Sequence, residues 1–156
     1  MPTNTYVPLA TITLSSTDSE VVFSSIPATY RDLIMVIDGT STSGTQFLQI
    51  RFNGDTGNNY SVVRMYNTTS DSFAGINWAN IVEIGTSRTN AIVQIMDYSA
   101  TDKHTTFLSR GNNAGYRIQA HAGRWANTAA VTSVSAIMAG GSLPIGTTAS
   151  LFGIEA

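Results

Sequence analysis

The sequence contains no cysteine, so disulfide bonds and thiolate metal sites are excluded. Charged residues make up only 12% of the 156 residues, and the eight cations are seven arginines and one lysine, Lys103. A formal net charge of -2 offers no broad basic field for nucleic acid or an anionic membrane. No apolar run approaches the roughly 18–20 residues that span a bilayer, and the first residues lack the pattern of a signal peptide. We therefore expect synthesis in the cytoplasm and neither nucleic acid nor membrane as a partner.

Helical periodicity is also missing, and the strongest pattern in the chain is a period of two at residues 46–65. In the first half of this stretch, alternate positions of 48–52 are apolar. In the second half, Val63 and Met65 share a face and Arg64 lies on the opposite one. This alternation is typical of half-buried strands, and the sequence NGDTGNN between the halves favours a turn. The stretch predicts a β-hairpin.

Similar runs recur along the chain, separated by turn-forming residues. They lie at 11–14, 20–26, 32–38, 81–84, 91–98, 104–110, 116–122, 131–138 and 148–154. About ten short antiparallel strands predict an all-β protein with a two-sheet, jelly-roll-like β-sandwich, and a closed barrel is the alternative.

Two segments depart from this pattern. Residues 1–8 are polar and contain two prolines, which predicts an extended N-terminal arm, leaving 9–156 as a single β-sandwich domain. Residues 67–80 have no clear period and are predicted to form a loop with a functional or subunit-facing role.

The two histidines do not have the spacing of a metal site. His104 is the first residue of the predicted strand 104–110. His121 shares a face of the run 116–122 with Arg117 and Gln119, and we expect it to point toward solvent. No metal ligand is predicted.

The sequence also lacks the common motifs of hydrolases and nucleotide-binding enzymes. There is no G-x-S-x-G elbow, no Walker loop and no G-x-G-x-x-G. The acids lie mostly at turns rather than as a facing pair. Residues 53–58 resemble a calcium loop only faintly, since they lack its D-x-D-x-D-G order and closing glutamate, and a turn accounts for them. We therefore expect no catalytic residue, no cofactor and no enzymatic activity.

Two tryptophans lie outside the predicted strands. Trp78 and Trp125 could stack on a sugar ring or contact a partner. The alternative is that they plug the end of a sandwich or lie in a subunit contact.

Five stretches together carry a resemblance that covers nearly the whole chain. They are VVFSSIPATYRDL (21–33), IRFNGDTGNNYS (50–61), IMDYSATDKHTTFLSRG (95–111), GRWANTAAVTSV (123–134) and GTTASLFGI (146–154). In this order they resemble a family of small all-β structural proteins of tailed bacteriophages, common in marine and freshwater phages.

The resemblance implies a virion component without catalysis, most simply a capsid decoration (cement) protein that stabilises the head shell. Its partners would be the major capsid protein or other virion proteins. By analogy with decoration proteins we expect a homo-oligomer, with a trimer as the expected form. The alternative is a tail or fibre component that acts as a glycan-binding adhesin on the host surface. An enzyme such as a depolymerase is a third possibility, but no cluster of acids or nucleophiles supports it.

Overall fold

A computed structural model describes residues 5–115 and 117–155, and these residues form strands and turns without a helix. The predicted two-sheet antiparallel β-sandwich is confirmed, with twelve strands in the described residues rather than about ten. Their bounds are β1 (Tyr6–Thr13), β2 (Glu20–Phe23), β3 (Asp32–Gly39), β4 (Gln46–Phe52), β5 (Tyr60–Tyr66), β6 (Thr69–Ile76), β7 (Ala79–Ile84), β8 (Thr89–Met96), β9 (Thr105–Asn113), β10 (Ile118–Trp125), β11 (Val134–Met138) and β12 (Thr148–Ile154).

The strands divide into a large and a small sheet. The large sheet has eight strands in the order β1-β12-β3-β8-β9-β10-β5-β6, and the small sheet has four in the order β2-β11-β4-β7. The core lies between them. Strand β8 shows how the sequence produces it, because Ala91, Val93 and Ile95 are buried while Ile92 is exposed. Fully burying one such aliphatic side chain stabilises a fold by about 1.5–3 kcal/mol.

The predicted hairpin at residues 46–65 is wrong, although both of its strands exist. Strand β4 pairs with β11 and β7 in the small sheet, and β5 pairs with β10 and β6 in the large sheet. The turn between them therefore crosses the sandwich. The rings of Phe52 and Tyr60, at its two ends, are stacked with centroids 6.5 Å apart in the core. Both rings are fully buried between the two sheets.

The true hairpin is formed by the segment that the sequence predicts to be a loop. Within 67–80, Thr69–Ile76 form β6, which pairs with β5 along its length. Seven of the eight residues of β6 are exposed, because β6 is an edge strand that extends beyond the small sheet. An exposed strand has no buried apolar face, and so its sequence shows no period of two.

The boundary of the predicted arm at residue 8 also needs correction. Strand β1 begins at Tyr6, and Tyr6, Val7 and Pro8 pair with β12. The register shifts between Pro8 and Ala10, so the proline sits at an irregularity in an edge strand, where its missing N–H is tolerated. Residues 1–4 lie outside the described residues. No helix that could cross a membrane occurs in 5–115 or 117–155.

Candidate partner-binding face

One edge of the small sheet is closed by side chains of the large sheet. Strand β7 pairs with β4 on one side only, and all six of its residues are buried. Gln119 accepts a hydrogen bond from the Glu83 amide at 2.7 Å and donates one to the Glu83 carbonyl at 3.0 Å. The Ser109 hydroxyl donates to the carbonyl of Ile81 at 2.6 Å. These contacts satisfy main-chain groups that would otherwise be buried without partners.

His121 belongs to the same set of contacts. Its Nδ1 lies 2.9 Å from the carbonyl of Asn80, which can only accept, so Nδ1 carries the proton. The ring is 1% exposed and packs edge-on against Tyr66 at 5.7 Å. Burial lowers the pKa of His121, although the hydrogen bond to Asn80 opposes that shift. The expectation that His121 faces solvent is therefore wrong, and its imidazole is a neutral structural donor.

A fourth inward-pointing polar group lies on β5. Arg64 is 7% exposed and donates two hydrogen bonds to Asp71 on β6, one of them at 2.7 Å from Nε. The hydrogen bonds from Arg64 lower the pKa of the Asp71 carboxyl. The guanidinium carbon lies over four aromatic rings, at 4.5–5.9 Å from their centroids: Phe47, Tyr66, Phe73 and Trp78. Stacking and a bidentate ion pair allow this cation to be buried.

Because these polar side chains point inward, the residues that alternate with them on β5 and β10 point outward, and several of those are apolar. Val63 is 47% exposed, Met65 53% and Ile118 70%. On the neighbouring strands, Leu108 is 50% exposed and Ile92 is 37% exposed. The face of β5 and β10 that the alternation assigns to the core is therefore an outer surface.

The strand register arranges these outward side chains in rows across the large sheet. The central row is Phe152, Ile34, Gln94, Leu108, Ala122 and Val63. The next row is Val36, Ile92, Arg110, Ala120 and Met65. At ~4.8 Å per strand the central row spans ~24 Å. Apart from Val63, the residues of these two rows line a groove with a volume of about 660 Å³. We call this surface the outer groove.

Two arginines are the charged groups of the outer groove and its margin. Arg110 lies in the second row, and Arg124 faces outward two residues beyond Ala122. Both are exposed, and in the described part of the chain neither forms an ion pair with a carboxylate. The outer groove is thus apolar with a local positive charge, in a chain that is negative overall.

Trp125 is not an exposed loop residue. It ends β10, is 1% exposed, and packs on Phe52 with ring centroids 5.7 Å apart. Its indole N–H donates to Asp55 at 2.7 Å, and the same carboxylate accepts from Asn59 and from the amide of Gly57. Burial opposes ionisation of Asp55, but these hydrogen bonds outweigh it and lower its pKa. The predicted glycan or partner contact at Trp125 is wrong, because the side chain fixes the crossing turn inside the protein.

Trp78 lies between β6 and β7 and is half-buried. Its ring contacts that of Phe73 at 5.2 Å and packs against the edge of the core. Part of the indole remains accessible, so a contact at Trp78 stays a prediction. The outer groove does not include either tryptophan.

In residues 5–115 and 117–155 no group of three or more histidines or acids is placed to hold a metal ion. His104 is exposed, and His121 is enclosed under β7. The carboxylate oxygens of Asp55, in the loop with faint resemblance to a calcium site, both accept hydrogen bonds from N–H donors.

The sequence does contain a signal for the outer groove, which is the size of the side chains on the two faces of each strand. Tyr60, Val62 and Tyr66 are in phase with Arg64, and the two tyrosines are bulkier than Val63 and Met65. Likewise Trp125 is in phase with His121, whereas the opposite face carries small alanines. The bulkier set of each strand is the buried one.

The fold and this face together define a two-sheet β-sandwich protein with an apolar outer groove. No family model matches the chain, and no curated protein matches it. Among solved structures, it is similar to the PL-14 alginate lyase of Aplysia kurodai, with a TM-score of 0.40 and 9% identity over 83% of this chain and 71% of that one. It is also similar to the galectin LEC-6 of Caenorhabditis elegans, with a TM-score of 0.37 and 9% identity over 94% and 96% of the two chains. For the alginate lyase Aly36B, a mutant in complex with an alginate tetrasaccharide, the TM-score is 0.34 at 12% identity over 90% of this chain and 72% of that one.

Proposed function

We propose that the protein is a non-enzymatic structural protein of a tailed-bacteriophage virion, most simply a capsid decoration protein that stabilises the head shell. The observation that carries this proposal is the outer groove. Apolar side chains exposed on four neighbouring strands, β8, β9, β10 and β5, favour burial against another protein, since each Å² of apolar surface removed from water contributes about 25 cal/mol. The major capsid protein, or another virion protein, is the proposed partner.

The resemblance of five stretches to small phage structural proteins supports the same role. In this proposal the protein is made in the host cytoplasm and incorporated into the virion. It acts as a homo-oligomer, and a trimer matches the local symmetry axes that decoration proteins commonly occupy.

A tail or fibre role with glycan binding is the second candidate. It rests on the accessible part of the Trp78 indole alone, because Trp125 is buried. Trp78 already packs against Phe73, and a single partly exposed ring offers a small platform for a sugar. The outer groove therefore favours the decoration role.

Immunogold electron microscopy of intact virions tests the location. We expect label spread over the head. Label confined to the tail or its tip would favour the tail role, and glycan binding by Trp78 would then be measured. Virions without label would contradict both candidates.

A co-sedimentation assay with expanded capsids that lack the protein tests the surface. Leu108→Ser in the outer groove should weaken capsid binding at least tenfold. Ile145→Ser is the matched control, because Ile145 is 67% exposed and lies outside the groove. Equal capsid binding by the two variants would show that another surface makes the contact.

A further inference from the structure

The positions of two arginines, one in the outer groove and one at its margin, define the chemistry of its partner. Arg110 lies opposite Ile92 on one neighbouring strand and Ala120 on the other. Arg124 lies opposite Thr106 and Ser61. No acidic side chain faces either guanidinium across the strands, so their charges are available to an incoming group.

The spacing of the two arginines follows from the register. The pair Leu108–Ala122 lies one row from Arg110 and one row from Arg124. Outward residues of a strand recur every ~6.8 Å, so the two cations lie ~14 Å apart along the strands, with an apolar row midway. An extended chain has the same repeat, and side chains four residues apart on one of its faces are also ~14 Å apart.

We infer that the outer groove binds an extended segment of a partner protein that presents two carboxylates four residues apart, with an aliphatic side chain midway. The carboxylates pair with Arg110 and Arg124, and the aliphatic side chain lies on Leu108 and Ala122. Charge complementarity fixes the register of the segment, and apolar burial supplies affinity. This inference rests on the proposed function, since it specifies the partner chemistry of the same surface.

A second copy of this chain does not supply such a segment. Its ten acidic residues include no two that are four positions apart. The partner is therefore a different protein, and the groove makes a contact between unlike chains rather than the contact that forms the oligomer.

The test uses a synthetic peptide as the probe, acetyl-Thr-Glu-Thr-Leu-Thr-Glu-Thr-amide, titrated into the full-length protein. Binding is followed by NMR through the backbone amides of Leu108 and Ala122. Two control peptides carry lysine in place of glutamate, or glutamates only two residues apart. We expect shifts of both amides with the probe and at least roughly threefold weaker binding of either control.

Variants of the protein complete the test. Arg110→Gln and Arg124→Gln should each weaken probe binding by roughly threefold to tenfold, because each removes one charge-assisted contact. Arg51→Gln is the control, since Arg51 lies on the small sheet and also lacks an ion pair in the described residues. It should bind the probe unchanged.

Equal binding of the glutamate and lysine peptides, or no shift at the two amides, would overturn the inference. If virions then still show label over the head, the decoration role stands and only the partner chemistry is wrong. If the probe binds as expected but virions carry no label, the groove chemistry stands and the virion role is wrong.

Discussion

Gln119 and Glu83 are joined by two hydrogen bonds, in which one side-chain amide meets both main-chain groups of the other residue. The side chain acts on the open edge of β7 as an additional strand would. Both residues are almost fully buried, so neither main-chain group of Glu83 has water as an alternative partner.

Replacing this amide by an apolar group should therefore be costly. Gln119→Leu leaves the Glu83 N–H and C=O buried without partners, and we expect a loss of about 2–5 kcal/mol in the free energy of unfolding. Urea unfolding measures the change. Ile118→Thr, one residue away and exposed, should cost less than about 0.5 kcal/mol. Equal losses in the two variants would contradict the role of the amide.

The buried imidazole of His121 predicts a pH dependence of stability. Its pKa is lowered in the folded state, so on acidification the unfolded chain binds the proton first. The contribution is constant above the unfolded value of 6.5 and is lost as pH falls from there toward the folded pKa. The slope in that window reaches about 1.4 kcal/mol per pH unit.

His121→Gln isolates this contribution, because glutamine can still donate to Asn80 but does not titrate. Between pH 7.5 and 5.0, wild type should lose more unfolding free energy than this variant. His104→Gln, which changes the exposed histidine, should keep the wild-type dependence. A His121→Gln variant with an unchanged pH dependence would rule His121 out as its source.

The guanidinium of Arg64 should resist replacement by another cation. Arg64→Lys keeps the charge but loses the bidentate contact with Asp71 and the planar stacking on the aromatic rings, so we expect a loss of about 1–3 kcal/mol by urea unfolding. The comparison is Arg88→Lys. Arg88 also forms an ion pair, with Asp38, but its side chain is 70% exposed, so we expect a smaller loss there than at Arg64. Equal effects would mean that charge alone matters at Arg64.

The indole N–H of Trp125 is predicted to stabilise the crossing turn. Trp125→Phe keeps an aromatic ring but removes the donor to Asp55, and about 1–2 kcal/mol should be lost by urea unfolding. In the same variant Trp78 is the remaining fluorophore and iodide should quench it readily. The reciprocal Trp78→Phe protein, which retains the buried Trp125, should resist quenching. Ready quenching of Trp125 would contradict its burial.

The period of two in the sequence is sufficient to place strands and insufficient to choose their faces. The run predicted at 91–98 corresponds to β8, Thr89–Met96, because the inward side chains that the two share, Ala91, Val93 and Ile95, are all apolar. On β10 the inward set includes Gln119 and His121, since the edge of β7 needs donors and acceptors there. That need arises from a strand about 40 residues away, and no local pattern reveals it.

The choice of which strands pair is likewise decided by contacts between residues that are far apart in the chain. The crossing turn after Phe52 has the composition of a hairpin turn. What distinguishes it from a hairpin is that β4 and β5 join different sheets. Gly123 follows the predicted run 116–122 and lies within β10. A Cβ there would lie 2.2 Å from the ring of Phe107, so this glycine makes room for an aromatic neighbour on the adjacent strand. The outer groove is not predicted from the sequence, because its position depends on which side chains of β5 and β10 point inward.

The position of β12 between β1 and β3 has a consequence for how the molecule assembles during synthesis. Strand β1 pairs with β12 alone, and β3 has one of its two neighbours only after β12 is present. A ribosome-bound chain therefore holds β1 and one edge of β3 unpaired until translation has passed Ile154. Closing a loop of this length is slow relative to local pairing. Completion of the large sheet is thus expected to be a late step of folding, with the nascent chain exposed to aggregation until then.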